Sequence, residues 1–151
     1  MGRVHDADRR LTAKLRERGY RVTPQRLVTY RVLCQLDGHV TGEELLAAAN
    51  AQLPSVALAT IYTILALLVD LGLVRRIATG GGTAIYDAAV EPHHHLVCTS
   101  CGAIGDLPIE LDLAPARTAA DAAGFEADSV DVVVHGRCQT CQRANRRAAG
   151  R

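Results

Sequence analysis

The sequence predicts an α+β chain in two parts, an N-terminal winged helix-turn-helix over residues 1–86 and a small α/β segment with a zinc site over residues 87–151. Three observations predict it. Helical periodicities give way to short apolar strands after Gly72, two CxxC pairs (Cys98 with Cys101, Cys138 with Cys141) lie in the second part, and the charge is split between the parts. The formal net charge is only +1, yet there are 11 basic and 7 acidic residues up to Arg76, 1 and 9 from Ile77 to Gly136, and 5 and 0 after that. A basic first half suits a polyanion and an acidic middle suits cations, against the plain alternative of two solvated surfaces.

Residues Ala7 to Arg18 set charges around Leu11 and Leu15, an amphipathic helix that Gly19 ends. Thr23-Pro24 supplies an N-cap and a first-turn proline for a helix whose apolar residues are Leu27, Val28, Val32, Leu33 and Leu36, and Asp37-Gly38 stops it. Thr41 with Glu44 is a capping box opening a short third helix that turns Leu45, Leu46 and Ala49 inward and is closed by Pro54. The next helix starts at Ser55 or Leu58 and runs to Leu71, with Ile61, Leu65, Leu68 and Val69 on one side and Gly72 at its end. Leu73–Ile77 and Ala84–Tyr86 are strands joined across Gly80-Gly81-Gly82, a hairpin in the place of a wing. No Lys-Ser/Thr follows these glycines, which argues against a phosphate-cradling loop.

In the second part, His95–Cys98 and Ala103–Leu107 are strands flanking the first CxxC, and Ala114–Ala123 is an alanine-rich helix. Phe125–His135 is a strand in which Val130, Val132 and Val134 alternate against Asp131 and His135, leading to the second CxxC. The tail from Gln142 is expected to be a disordered, solvated end rather than a frayed helix near DNA. No apolar run approaches the roughly 20 residues that span a bilayer. The polar, charged N-terminus is unlike a signal peptide, so a soluble, cytoplasmic protein without a membrane partner is expected.

Helices followed by a hairpin match the order in which one helix enters the major groove and a wing touches the DNA backbone. Arg16, Arg21, Arg26, Arg75 and Arg76 are then phosphate partners. Thr60, Tyr62 and Thr63 are candidate contacts from the last of these helices. Tyr62 is suited to a thymine methyl or a phosphate, or is an ordinary half-buried tyrosine.

Four cysteines in two CxxC pairs, in a reducing compartment, suit zinc held by four thiolates with no open position and hence no catalysis. A thioredoxin-like role needs one exposed CxxC at a helix start, not two. Cys34 stands apart. His93 and His95 alternate along a strand and share a face, whereas His94 points away. Asp87 and Asp106 lie close by in sequence, and His39 is placed on the turn before the third helix, where a lone histidine reads as a solvated turn residue. Imidazoles with carboxylates make a nitrogen and oxygen site suited to Fe(II), Mn(II) or Zn(II). Two rivals from other classes are a zinc hydrolase, for which HExxH is absent and Glu91 lacks a helical context, and a metal-storage module.

The segments Arg21-Val22-Thr23-Pro24-Gln25-Arg26, Gly38-His39-Val40-Thr41, Leu58-Ala59-Thr60-Ile61-Tyr62, Leu71-Gly72-Leu73-Val74 and His93-His94-His95-Leu96-Val97-Cys98 resemble the ferric uptake regulator family over nearly the whole chain. The resemblance implies a homodimeric, metal-responsive transcriptional repressor of double-stranded operator DNA, not an enzyme, whose second part is a dimerisation domain. It implies that Cys98, Cys101, Cys138 and Cys141 hold structural Zn(II). It also implies that His39, Asp87, His93, His95 and Asp106 form a regulatory site bridging the two domains, taking Fe(II) or Mn(II), or else Zn(II). Asp106, where iron-uptake members commonly carry Glu, is similar to the peroxide-sensing branch, in which bound Fe(II) reacts with peroxide and a ligand histidine is oxidised. Ala88 and Ala89 stand where zinc-uptake members usually place a Cys; a zinc-responsive uptake regulator is the alternative. Ser129 and Val130 occupy a region where an additional family site uses a His, and Thr63 departs from the Arg often found there.

Overall fold

The computed structural model describes residues 2–36, 38–78, 83–88 and 93–149, and the chain divides into two units, Met1–Val90 and Glu91–Arg151. In the first unit α1 (Gly2–Glu17) begins well before the expected Ala7 and buries Ala7, Leu11 and Leu15, a repeat of four that keeps one stripe inward. It ends as expected: Gly19 takes φ +72° and Tyr20 donates its N–H to the Leu15 carbonyl at 2.8 Å. Asp8 and Arg31 tie α1 to α2 (Pro24–Leu36) through a bidentate ion pair of 2.7 and 3.2 Å.

The inward face of α2 is rotated from the expected one. Thr29, Tyr30, Val32 and Leu33 are buried, Leu27 and Val28 are half-buried, and Leu36 is exposed at the helix end. Burial pushes the Tyr30 hydroxyl up to about 12, with the neighbouring Cys34 adding to it.

His39 lies in a strand rather than on a turn. β1 (His39–Thr41) turns Val40 into the core and pairs antiparallel with β3 (Ala84–Asp87), which also pairs with β2 (Arg75–Ala78), giving the order β1-β3-β2. The expected glycine turn between β2 and β3 lies outside the described residues, as does Glu91-Pro92.

α3 (Gly42–Ala49) opens on the expected capping box: the Thr41 hydroxyl accepts from the Glu44 N–H at 3.1 Å, and the Glu44 carboxylate accepts from the Thr41 N–H at 2.8 Å. α4 (Leu58–Asp70) takes the later of its two expected starts and buries Ile61, Ile64, Leu65 and Leu68. Gly72, at φ +66°, follows it.

The second unit is a sheet of order β5-β4-β6, with β4 (His94–Cys98) central, antiparallel to β5 (Ile104–Leu107) and parallel to β6 (Val133–Gly136). α5 (Ala114–Ala122) lies in the connection from β5 to β6 and buries no residue. The strand expected from Phe125 shortens to β6. Gly124, at φ +73°, and Phe125, whose N–H returns to the Ala120 carbonyl at 2.9 Å, are spent on capping α5. The expected disordered tail is instead α6 (Gln139–Ala149). Asp87 ends β3 within the first sheet, and the first unit runs to Val90. No helix among the described residues is long and apolar enough to cross a membrane.

The core and the cap make different demands on stability. Leu65→Ala opens a cavity in the core of the first unit and is expected to cost about 2–5 kcal/mol, whereas Thr41→Ala removes one cap and is expected to cost about 1 kcal/mol. Urea denaturation checks both: the midpoint is expected to fall further for Leu65→Ala than for Thr41→Ala, with an unchanged slope.

Candidate metal centres

The cysteine cluster is built by strand pairing. β4 ends at Cys98, and the chain turns through Thr99 to Gly102, where Gly102 (φ +74°) donates its N–H to the Cys98 carbonyl at 2.9 Å. The parallel register sets Cys98 opposite Gly136, so Cys138 arrives just past the end of β6 and Cys141 in the first turn of α6. The four Sγ atoms lie within 4.8 Å of one another, and Cys101 Sγ stands 3.8 Å from Cys138 Sγ. A disulfide needs about 2.05 Å. Four thiolates about 2.3 Å from one zinc ion stand about 3.8 Å apart along each tetrahedral edge, so this donor set fits zinc.

The electrostatics agree with that reading. The Cys138 N–H donates to Cys98 Sγ at 3.3 Å, and with the Cys101 and Ser100 N–H groups it brings the Cys98 thiol down to about 6. Cys141, hydrogen-bonded to Cys138 and Cys101, is pushed up to about 12. Four crowded sulfurs resist a common negative charge, and a divalent cation removes that conflict. Cys34 lies apart on α2, half-buried, with its thiol raised by burial.

A second cluster sits at the other end of β4. His93 and His95 bring their Nε2 atoms to 3.0 Å, with ring centroids 4.5 Å apart at 58°. Two ligands about 2.1 Å from one ion and roughly 90–109° apart are about 3.0–3.4 Å from each other, so this spacing suits a shared metal. Asp106 is the register partner of His95 on β5, and its Oδ1 lies 3.5 Å from His93 Nε2. His95 is fully buried, while Asp106 is largely exposed. His94 serves the backbone: it is buried, and its Nδ1 accepts the Val132 N–H at 3.3 Å.

His39 and Asp87 belong to the first unit, where they are direct register partners, and Asp87 is also opposite Arg75. Asp87 is buried at 3% exposure, where a carboxylate needs a polar or charged partner. Of the five sequence-identified ligands, His39 and Asp87 thus lie in the first unit and His93, His95 and Asp106 in the second.

The sequence-identified DNA residues fall on different elements of the first unit. Arg16, Arg21 and Arg76 are exposed. Arg26 is partly committed to local structure, donating to the Arg21 carbonyl and stacking 5.9 Å from the Tyr20 ring centroid. Thr60 is half-buried, and the Thr63 hydroxyl donates to the Ala59 carbonyl at 2.9 Å. Tyr62 is half-buried and rests against Gly42, where an added Cβ would come 2.5 Å from its Cζ. Its hydroxyl donates to the Glu43 carboxylate at 3.1 Å. Glu43 has no local sequence signal for this role, because its partner is on another helix.

The model of the ferric uptake regulator family matches residues 17–135. The chain is 40% identical over 123 residues to the ferric uptake regulation protein 1 of Mycolicibacterium fortuitum, covering 81% of this chain and 76% of that protein. It is 31% identical over 130 residues to the peroxide-responsive repressor PerR of Staphylococcus aureus, covering 86% and 88%. Among solved structures, the Helicobacter pylori ferric uptake regulator superposes with a TM-score of 0.76 at 21% identity, covering 92% of this chain and 93% of that one. The fold, the two ligand clusters and these relatives agree: the chain belongs to the ferric uptake regulator family, whose members are metal-responsive transcriptional regulators and not enzymes.

Proposed function

We propose that the protein is a homodimeric, cytoplasmic repressor that binds operator DNA when a regulatory Fe(II) or Mn(II) ion is held. The observation that carries this reading is the chemical contrast along β4: a thiolate cluster at one end and an imidazole and carboxylate cluster at the other. Cys98, Cys101, Cys138 and Cys141 hold zinc permanently, a closed site whose role is to fold the second unit. His93, His95 and Asp106, joined by His39 and Asp87 from the first unit, take the regulatory ion, a harder donor set from which metal exchanges. Binding that draws ligands from both units gives the reading heads of a dimer a fixed spacing, and the ion shifts the population by its preference for that closed form.

Arg16, Arg21, Arg26, Thr60, Tyr62 and Thr63 meet the DNA. For Tyr62 this means exchanging its Glu43 hydrogen bond for a base or phosphate contact. The apolar groove of about 400 Å³ that includes Leu96, Ile104 and Val134 is the face that a second copy covers. Leu96 and Val134 are 41% and 45% exposed in the single chain.

Asp106 and the peroxide-responsive relative favour a sensing role, in which peroxide transfers one oxygen atom to a ligand histidine and leaves water. Anaerobic DNA titration with Fe(II), Mn(II) and Zn(II), with and without peroxide, tests it. Loss of binding with Fe(II) and peroxide alone, together with one added oxygen on His39 or His93 by peptide mass spectrometry, is expected. Peroxide-insensitive binding with every metal would falsify the sensing role, and a response to Zn(II) alone would assign the protein to zinc instead.

The two clusters separate in mutagenesis. Cys138→Ser is expected to lose the zinc and, with about 10–16 kcal/mol of binding energy gone, to expose the amides of residues 93–149 to hydrogen exchange while those of α1 to α4 stay protected. Retained protection across the second unit would contradict the zinc role. Asp106→Ala is expected to keep zinc and dimer but weaken metal-dependent DNA binding by at least about tenfold, measured by fluorescence anisotropy against Mn(II).

A further inference from the structure

α6 carries a charged row that neither metal cluster uses. Arg143, Arg146 and Arg147 are exposed, and at 3.6 residues per turn they fall within an arc of roughly 100°. Cys141 projects roughly 160° from Arg143 around the same helix, so the zinc-binding side and the arginine side are opposed. No acidic residue occurs between Gly136 and Arg151. Among the described residues, none of the three arginines is in an ion pair.

Like charges three and four residues apart repel, so the row is unfavourable for an isolated helix. The helix dipole accounts for part of it, since Arg146 and Arg147 lie in the last turn, but Arg143 lies outside that turn. Beside the row, Thr99, Gly136, Arg137, Gln142, Asn145 and Arg146 line a polar hollow of about 400 Å³. Two arginines lining one polar hollow are suited to receive a phosphate oxygen pair. α6 also lies beyond the segment matched to the family, residues 17–135.

We propose that α6 is a second nucleic-acid contact: its arginine row and the adjoining hollow bind the phosphate backbone of double-stranded DNA without reading sequence. The inference rests on the DNA-binding reading above. Charge complementarity selects the occupant, because an unneutralised arginine row on a DNA-binding chain gains by releasing counterions from a duplex. The closed zinc site opposite the row fixes the helix so that its guanidinium groups are presented together.

The test uses the full-length protein loaded with zinc and Mn(II), and a mixed-sequence DNA duplex, with affinity measured against salt. Each phosphate contact contributes about 0.9 to the slope of log K on log salt and about fivefold in affinity near 0.15 M. The R143A/R146A/R147A variant is expected to give a slope shallower by about 0.9 for every phosphate that the substitutions leave unneutralised, with unchanged zinc content and circular dichroism. The corresponding triple lysine variant is expected to keep the slope. Should the triple alanine variant lose zinc, Arg143→Gln alone is read, with an expected change of about 0.9.

An unchanged slope in the alanine variant, while R16A/R21A flattens it, overturns the α6 contact and leaves the DNA-binding reading standing. Absence of duplex binding by the wild-type protein overturns that reading and the inference with it. An unchanged duplex slope accompanied by abolished binding to single-stranded RNA or to phosphatidylserine vesicles overturns the inference in favour of that occupant.

Discussion

The parallel pairing of β4 with β6 is the constraint on which the second unit depends. Its register sets Cys98 opposite Gly136 and thereby delivers Cys138 and Cys141 to Cys98 and Cys101, although nearly forty positions of sequence separate the pairs. The same strand, through its other edge, sets His95 opposite Asp106. One short strand therefore aligns both clusters, and a slip of one residue would turn His95 to the opposite face and pull the cysteine pairs apart.

That strand works with little hydrophobic support. Among the described residues of the second unit only Val97, Cys98, His94 and His95 are buried, and α5 buries nothing, whereas Ile109, Leu111 and Phe125 are exposed at 50%, 39% and 69%. A segment of this size with so small a core needs other sources of stability, and metal thiolates and a partner chain are the two that small domains commonly use. The first unit is the reverse case, with a continuous core under its helices from Ala7 to Tyr86.

Legibility in the sequence follows locality. The Thr41–Glu44 box, the glycine stops after α1 and α4 and the paired CxxC motifs are all readable, because each is decided within a few residues. β1 is not, because three residues become a strand only through β3, more than forty positions away, and a glycine followed by a lone histidine gives the same signal as a turn. The alternation from Phe125 misleads because the first residues after α5 go to its cap, and the polar tail conceals a helix that a sulfur cluster can anchor. The ligand residues are found partly by spacing and partly by family resemblance. The pairing of Asp87 with both His39 and Arg75 positions is visible only in the strand register.

The seat of Tyr62 on Gly42, closed by the hydrogen bond to Glu43, latches α4 to the start of α3. Two helices joined at their ends by a ring in contact with bare backbone have little freedom to slide or roll past each other. On the proposed reading the head behaves as a rigid die until DNA draws the Tyr62 hydroxyl from Glu43, and metal acts on its placement rather than on its outline.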